Sequence, residues 1–310
     1  ALGLKDRRCD SDPKAEARFV VRGRQPVPLP GGALDFFRSK LFSWSAKRRL
    51  LAEPFIGRAT HEESVGEFVT RRLGQEFLDY AINPLVSGIY AGDPARLSVQ
   101  HAFPKIYNLE LRYGSLIRGQ FLGARERKRR GEVSKAHAKK FSFDEGLQVL
   151  PDTLNRHLGN AVRLNASVTG LAQTESGWTV RFTDGAGRQE QGHAAVLYVG
   201  TAYRLPELAI EAAAPIALAE FSKIYYPPVA SVVLGFRRED VAHPCCGFGM
   251  LIPQVEGFQI LGTIFSSAIF PRRAPEGHHT LTSYLGGAQN PDAARLDETQ
   301  LVDLTLNDLR

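Results

Sequence analysis

Few side chains in this 310-residue sequence stand at spacings that do chemistry. It contains no G-x-S-x-G nucleophile turn, no H-E-x-x-H zinc helix and no phosphate-binding G-x-x-x-x-G-K loop. Its eight histidines are scattered. His278-His279 is the adjacent pair, and its Pro and Gly neighbours read as a loop. The carboxylate pair Glu62-Glu63 reads as a solvated helix start, not as an acid/base couple. Cys9, Cys245 and Cys246 form no CxxC and no metal spacing, so they read as reduced thiols of a cytosolic-type compartment. No strand–GxGxxG–helix occurs, so a complete dinucleotide fold is not encoded here. Two patterns remain. Phe36, Phe37, Leu41, Phe42 and Trp44 interleave with Arg38, Lys40, Lys47, Arg48 and Arg49, as in a helix lying in a lipid interface. And "NPLVSGIYAGDP", Asn83 to Pro94, is apolar yet carries Gly88 and Gly92. Glycine admits positive φ or the close approach of another group.

Composition sets the bounds. The chain is 43% hydrophobic and 23% charged, which permits a large core and excludes global disorder. A net charge of +6 points to an anionic partner: lipid head groups, nucleic acid or an acidic small molecule. Nucleic acid fits poorly, because no recognised module occurs and the basic run Arg125 to Arg130 reads as a loop. No uncharged apolar run is long enough to span a bilayer, and no signal-peptide core is present. Both termini look cut.

These residues need elements to hold them. Ala17 to Pro30 alternates like a strand, turns at Gly23 and leaves through prolines. A helical stretch follows, with Val65, Phe68, Val69, Leu73, Phe77, Leu78 and Ile82 at i, i+3, i+4 and a start at Ser64 or at the Glu residues before it. A third helical block is interrupted by Pro104, and residues 124–140 form an exposed basic loop. Then the grammar changes. "FSFDEGLQVLPDTLNRHLG" is a turn and a helix, and strands follow with turns at Ser176-Gly177 and Asp184-Gly185. Ala194 to Ala202 is a continuous apolar run, typical of a strand buried on both faces. Four more strand candidates lie between Pro228 and Gly287, and the last segment is helical. The class is α/β with α+β elements.

The long segment "ESVGEFVTRRLGQEFLDYAINPLVSGIYAGDPARLSVQHAFPKIYNLELRYGSLIRG" resembles the central region of the protoporphyrinogen oxidases, oxygen-dependent flavoenzymes of haem and chlorophyll synthesis. "GFGMLIP", "LGTIFSS", "FPRRAP" and "YLGGAQN" recur in the family's order, and the likeness runs from about Arg18 to Arg310. The resemblance implies an incomplete FAD/NAD(P)-binding amine-oxidase-like fold. It divides the chain into substrate-domain strands (1–33), a helical membrane-binding insertion (34–139), an FAD-domain contribution (140–205), a substrate-binding sheet (206–296) and the start of a C-terminal helix (297–310).

It also implies roles. Arg22 falls at the family's substrate-carboxylate arginine, where a guanidinium can hold a propionate bidentately. Gly88 lines the substrate cavity, and Gly92 serves the following turn. Leu251 and Ile264 sandwich the ring system. Tyr284 stands where Phe is usual and stacks on a pyrrole, adding a hydroxyl that needs a partner. Val168 meets the adenine of FAD, and Thr201 ends a strand close to the cofactor. Asp144-Glu145 stand where the family often shows Gly-Gly. No catalytic acid or base is nominated.

The implied reaction is oxidation of protoporphyrinogen IX to protoporphyrin IX, with FAD taking hydride equivalents and O2 reoxidising it. Coproporphyrinogen III is the alternative substrate. A non-catalytic fragment that binds membrane or tetrapyrrole is the alternative of another class, and the missing GxGxxG predicts weak FAD binding by this chain alone. The implied setting is cytoplasmic and peripheral to a membrane, and a homodimer stays open.

Overall fold

The computed structural model describes residues 2–129, 140–214 and 216–310. The chain divides into two compact units, one of residues 1–6 and 145–226, the other of residues 7–144 and 227–310.

The second unit is built on a six-stranded sheet with the order β3-β2-β10-β11-β12-β9. After the short strand β1 (Arg8–Asp10), the expected hairpin is present as β2 (Arg18–Arg22) and β3 (Gln25–Pro28). The late strands are β9 (Val229–Arg237), β10 (Gly249–Leu251), β11 (Ile260–Ile264) and β12 (His278–Gly286), with the short helix α10 (Ser266–Ile269) between the last two. All pairs are antiparallel except β2 with β10, which run parallel. His278-His279 therefore belongs to a strand and not to a loop, with His279 buried. Val21, Val232, Ile252, Ile260 and Leu285 form a core on one side of the sheet, packed by the helix α11 (Glu298–Leu309) through Leu301 and Val302.

Between β3 and β9 in sequence come the helices α1 (Ala33–Arg38), α2 (Trp44–Leu51), α3 (Val65–Arg72), α4 (Gln75–Phe77), α5 (Asn83–Tyr90), α6 (Val99–Ala102), α7 (Pro104–Tyr113) and α8 (Leu116–Arg129), then β4 (Phe141–Phe143), which pairs with β1. Ser64 caps α3 in a reciprocal box with Glu67, which satisfies two orphan amide donors. A π-helical turn, Leu78–Ile82, leads into α5, whose Pro84 sits where no amide is needed. Helix α8 runs through residues 124–129, which the sequence assigns to a loop; the rest of that expected loop, residues 130–139, lies outside the described residues. Leu41, Phe42, Val65, Phe68, Val86 and Val99 form the core of this block.

Charges hold the block together from inside. Arg72 and Glu53 are both 0% exposed. Arg72 Nη1 donates to Glu53 Oε1 at 3.0 Å and its Nε to Glu110 Oε1 at 2.8 Å. Glu53 also accepts from the Ser115 hydroxyl and from the amides of Leu116 and Ile117, at the positive end of α8. Glu62 is exposed as expected of a solvated helix start, whereas Glu63 is buried against Arg71.

The first unit holds helix α9 (Val149–Leu158) and a four-stranded sheet of β5 (Ser167–Thr174), β6 (Gly177–Asp184), β7 (Gly187–His193) and β8 (Ala209–Glu211), ordered β7-β6-β5-β8. The apolar run from Ala194 to Ala202 is not the buried strand expected of it. It has no ladder, and Leu197 and Val199 are 85% and 86% exposed. An apolar run becomes a strand only beside neighbours that take its backbone hydrogen bonds.

A glycine-floored candidate ligand site

One face of the six-stranded sheet turns away from α11 and forms the floor of a cavity of about 560 Å3. Strand pairing decides what stands on that floor. Arg18, Gly249, Ile264 and Thr282 lie in one register row across β2, β10, β11 and β12. Val20, Leu251, Gly262 and Tyr284 lie in the next row on the same face. Two central positions, Gly249 and Gly262, thus raise no side chain. A Cβ at Gly249, whose φ is 151°, would sit 2.3 Å from the carbonyl oxygen of Thr263, and one at Gly262 would sit 2.6 Å from that of Met250, so neither position admits a side chain without a backbone shift. On the trough's two central strands Gly249 and Gly262 thus stand diagonally beside Leu251 and Ile264, with Arg18 and Tyr284 on the flanking strands.

Helix α5 roofs the trough through Leu85, Ser87, Gly88, Ile89 and Tyr90. A Cβ at Gly88 would lie 2.7 Å from Leu251 Cδ2. Its backbone is helical, so the glycine answers to close approach and not to positive φ. The left-handed residue at the end of α5 is Ala91, with φ 47°. Gly92 is pressed instead, since a Cβ there would lie 3.1 Å from Leu97 Cδ1; its place is set by packing as well as by the turn.

Four of the five expected substrate residues, Gly88, Leu251, Ile264 and Tyr284, therefore line one cavity. Arg22 does not line it. It stands on the same strand face as Arg18, four residues further along, about 13 Å away. Its guanidinium donates to Glu76 and to the carbonyl of Leu41, and lies 4.3 Å from the Tyr80 ring centre. Burial pushes Glu76 up, but the hydroxyl and amide of Ser43, with Arg22, hold it below the usual carboxylate range. Arg18 is the cation in the cavity wall, 5.7 Å from the Phe248 ring centre. In sequence Arg18 and Arg22 share one strand phase, and what separates them is the company of Arg22, Glu76 and Tyr80.

Val168 and Thr201 both lie in the first unit, on β5 and at the end of the uncovered apolar run, and neither lines this cavity. Exposed Leu197 and Val199 give that unit an apolar surface. The pyrophosphate turn is absent from the sequence.

The interface helices are mixed. Leu41 and Phe42 are buried and Phe36 packs on Phe42 and Phe77, whereas Phe37 and Trp44 are exposed. Lys47 is buried and donates to the carbonyls of Phe37 and Ser39. No helix among the described residues is long and apolar enough to cross a membrane, and no metal-binding cluster occurs among them. All three cysteines are free, and burial raises the Cys245 thiol to about 11.

The cavity is largely apolar, and Arg18 is the cation among its lining residues. The profile of the flavin-containing amine oxidoreductases matches residues 1–310. The chain is 33% identical to Arabidopsis thaliana protoporphyrinogen oxidase 2, chloroplastic/mitochondrial, over all of its own length and 66% of that protein. It is 28% identical to the Bacillus subtilis coproporphyrinogen III oxidase over 94% of its length and 63% of that protein. The crystal structure of a proposed protoporphyrinogen oxidase from Exiguobacterium sp. 255-15 superposes with a TM-score of 0.76 at 19% identity, over 99% of this chain and 66% of the other. The chain belongs to the flavin-containing amine oxidoreductase family, and it spans about two thirds of the length of these relatives.

Proposed function

We propose that the complete protein is a flavin-dependent porphyrinogen oxidase that converts protoporphyrinogen IX to protoporphyrin IX. The observation that carries this reading is the glycine-floored trough with Arg18 at its edge. A porphyrinogen is broad, largely apolar and acidic at one edge, and the trough offers those features in complement. FAD, when bound, supplies the acceptor for hydride equivalents leaving the macrocycle, with O2 as final acceptor. The chain's own part is placement. Gly249 and Gly262 let the ring approach the backbone, Leu251 and Ile264 exclude water, and Arg18 fixes the propionate edge.

The sequence puts the carboxylate contact on Arg22; we assign it to Arg18, because the Arg22 guanidinium already serves Glu76. Arg18→Ala should raise KM for porphyrinogen about tenfold with kcat little changed, since a remote carboxylate contact contributes mainly uniform binding. Arg22→Ala should instead lower the melting temperature, because Glu76 loses its cation. A raised KM and an unmoved melt in Arg22→Ala would return the role to Arg22. The reading as a whole is tested by adding FAD to purified full-length protein and following porphyrin fluorescence. Absence of turnover on protoporphyrinogen IX and coproporphyrinogen III alike would reject it.

The helical block supports a second contact. Leu34, Phe37, Trp44, Leu51 and Phe55 are exposed, with Arg48 and Arg49 nearby on α2, and we assign this face to the surface of an anionic bilayer. Trp44→Ala with Phe55→Ala should reduce co-sedimentation with phosphatidylglycerol vesicles several-fold. Equal sedimentation of variant and parent would remove the assignment.

A further inference from the structure

The trough has two edges, and only one has a use so far. Tyr284 stands in its wall on β12, opposite Gly262 of β11. Thr282, the next residue on the same strand face, has its hydroxyl paired with that of Ser266 at 2.8 Å. The Tyr284 hydroxyl makes no hydrogen bond to any described residue. No buried polar side-chain atom among those residues lacks a partner, so this hydroxyl is not walled in but opens onto the cavity. Arg18 lies on β2, three strand spacings away across β10 and β11 and one register row along, about 16 Å on the same face. Between the two lies the floor of Gly249 and Gly262.

We infer that Tyr284 hydrogen-bonds an acidic substituent at the end of the ligand opposite Arg18. The pocket then takes a tetrapyrrole with carboxylates at both ends, and not only one with carboxylates along a single edge. The inference rests on the porphyrinogen reading above. A phenol is a neutral donor, and its hydrogen bond to a carboxylate is roughly twice as strong as one between neutral groups. A vinyl group in the same place accepts nothing and leaves the donor unpaired against an apolar neighbour. A site built around a polar contact discriminates more sharply than a purely apolar one, where a substituent's size alone is read. The apolar trough holds either tetrapyrrole, and the hydroxyl sets the ratio between them.

The test uses full-length protein carrying FAD, as wild type and as Tyr284→Phe. The isosteric change keeps the ring and removes only the donor. Coproporphyrinogen III carries a propionate on every ring, whereas protoporphyrinogen IX carries them on two adjacent rings. The ratio of kcat/KM for the first over the second should fall about tenfold in Tyr284→Phe, with the change in KM for coproporphyrinogen III. Affinities for the oxidised products, coproporphyrin III and protoporphyrin IX, read by fluorescence quenching, should shift in the same ratio without any turnover. Both ratios unchanged, with both substrates still oxidised, overturns the role of Tyr284 and leaves the porphyrinogen reading standing. Neither turnover nor porphyrin binding by the wild type overturns both.

Discussion

Gly88→Leu should cost the complete protein most of its porphyrinogen affinity while leaving its melting temperature nearly unchanged. The glycine sits in α5 with helical backbone angles, so a side chain brings no conformational strain. In the middle of a helix, replacing glycine even recovers up to about 1 kcal/mol of propensity. The conflict is with the trough. The first added carbon already meets Leu251 Cδ2 at 2.7 Å, and that atom is the end of a side chain that can turn aside. A leucine goes further into the cavity that Gly88 and Leu251 line. Overpacking a fitted site costs about 1–3 kcal/mol, which is roughly a tenfold to hundredfold loss of affinity. Gly88→Ala should show a smaller loss. Porphyrin titrations and thermal melts on both variants check this. A large drop in melting temperature already at alanine, with affinity intact, would make Gly88 a structural corner and not a pocket roof.

Arg72→Ala should unfold the helical block under conditions where the parent is stable. The guanidinium is wholly buried and is shared by Glu53 and Glu110. Removing it leaves two buried carboxylates short of a cation, and breaking a buried pair in this way costs about 3–5 kcal/mol. Arg72→Met, which keeps the apolar stem, should be nearly as damaging, because the uncompensated charge is the cause. Acid should mimic the mutation in the parent. Burial alone raises Glu110, but Arg71 and Arg72 outweigh it and hold it below the usual carboxylate range. A depressed carboxylate contributes stability above its unfolded pKa and loses it as pH falls through the folded one. Helical circular dichroism should therefore hold down to about pH 4 and fall below it. A melt of Arg72→Ala within a degree or two of the parent would show the cluster to be dispensable.

What the sequence made legible follows from what kind of rule each element obeys. The start of α3 at Ser64 and the hairpin at Gly23 obey local rules of capping and turns, and both stand where those rules put them. The run from Ala194 to Ala202 obeys a non-local one. Its apolar content announces a buried strand, but a ladder needs neighbours, and none pairs with it among the described residues. The loop expected from residue 124 is helical to Arg129 because lysine, arginine and glutamate form helices well even without an apolar stripe. At the site, Gly88, Leu251, Ile264 and Tyr284 were readable as a set through the family resemblance, and one cavity collects them. Their glycine floor was not readable, because Gly249 and Gly262 become neighbours only through the register of β10 against β11. The difference between Arg18 and Arg22 was hidden for the same reason. Both point to one face, and Glu76, which engages Arg22, lies 54 residues away in sequence.

The parallel contact of β2 with β10 also sets a timetable. Arg18 pairs across to Gly249, more than two hundred residues later in the chain. At a synthesis rate of roughly 5–20 residues per second, the β2–β3 hairpin waits on the order of 10–50 s for that partner. During this interval one edge of β2 is an open template, beside helices whose contacts are mostly short in range. The trough's floor stays incomplete until β11 and β12 have left the ribosome. Slowed translation between α8 and β10 should therefore prolong the nascent chain's dependence on chaperones, whereas a pause placed after β12 should not.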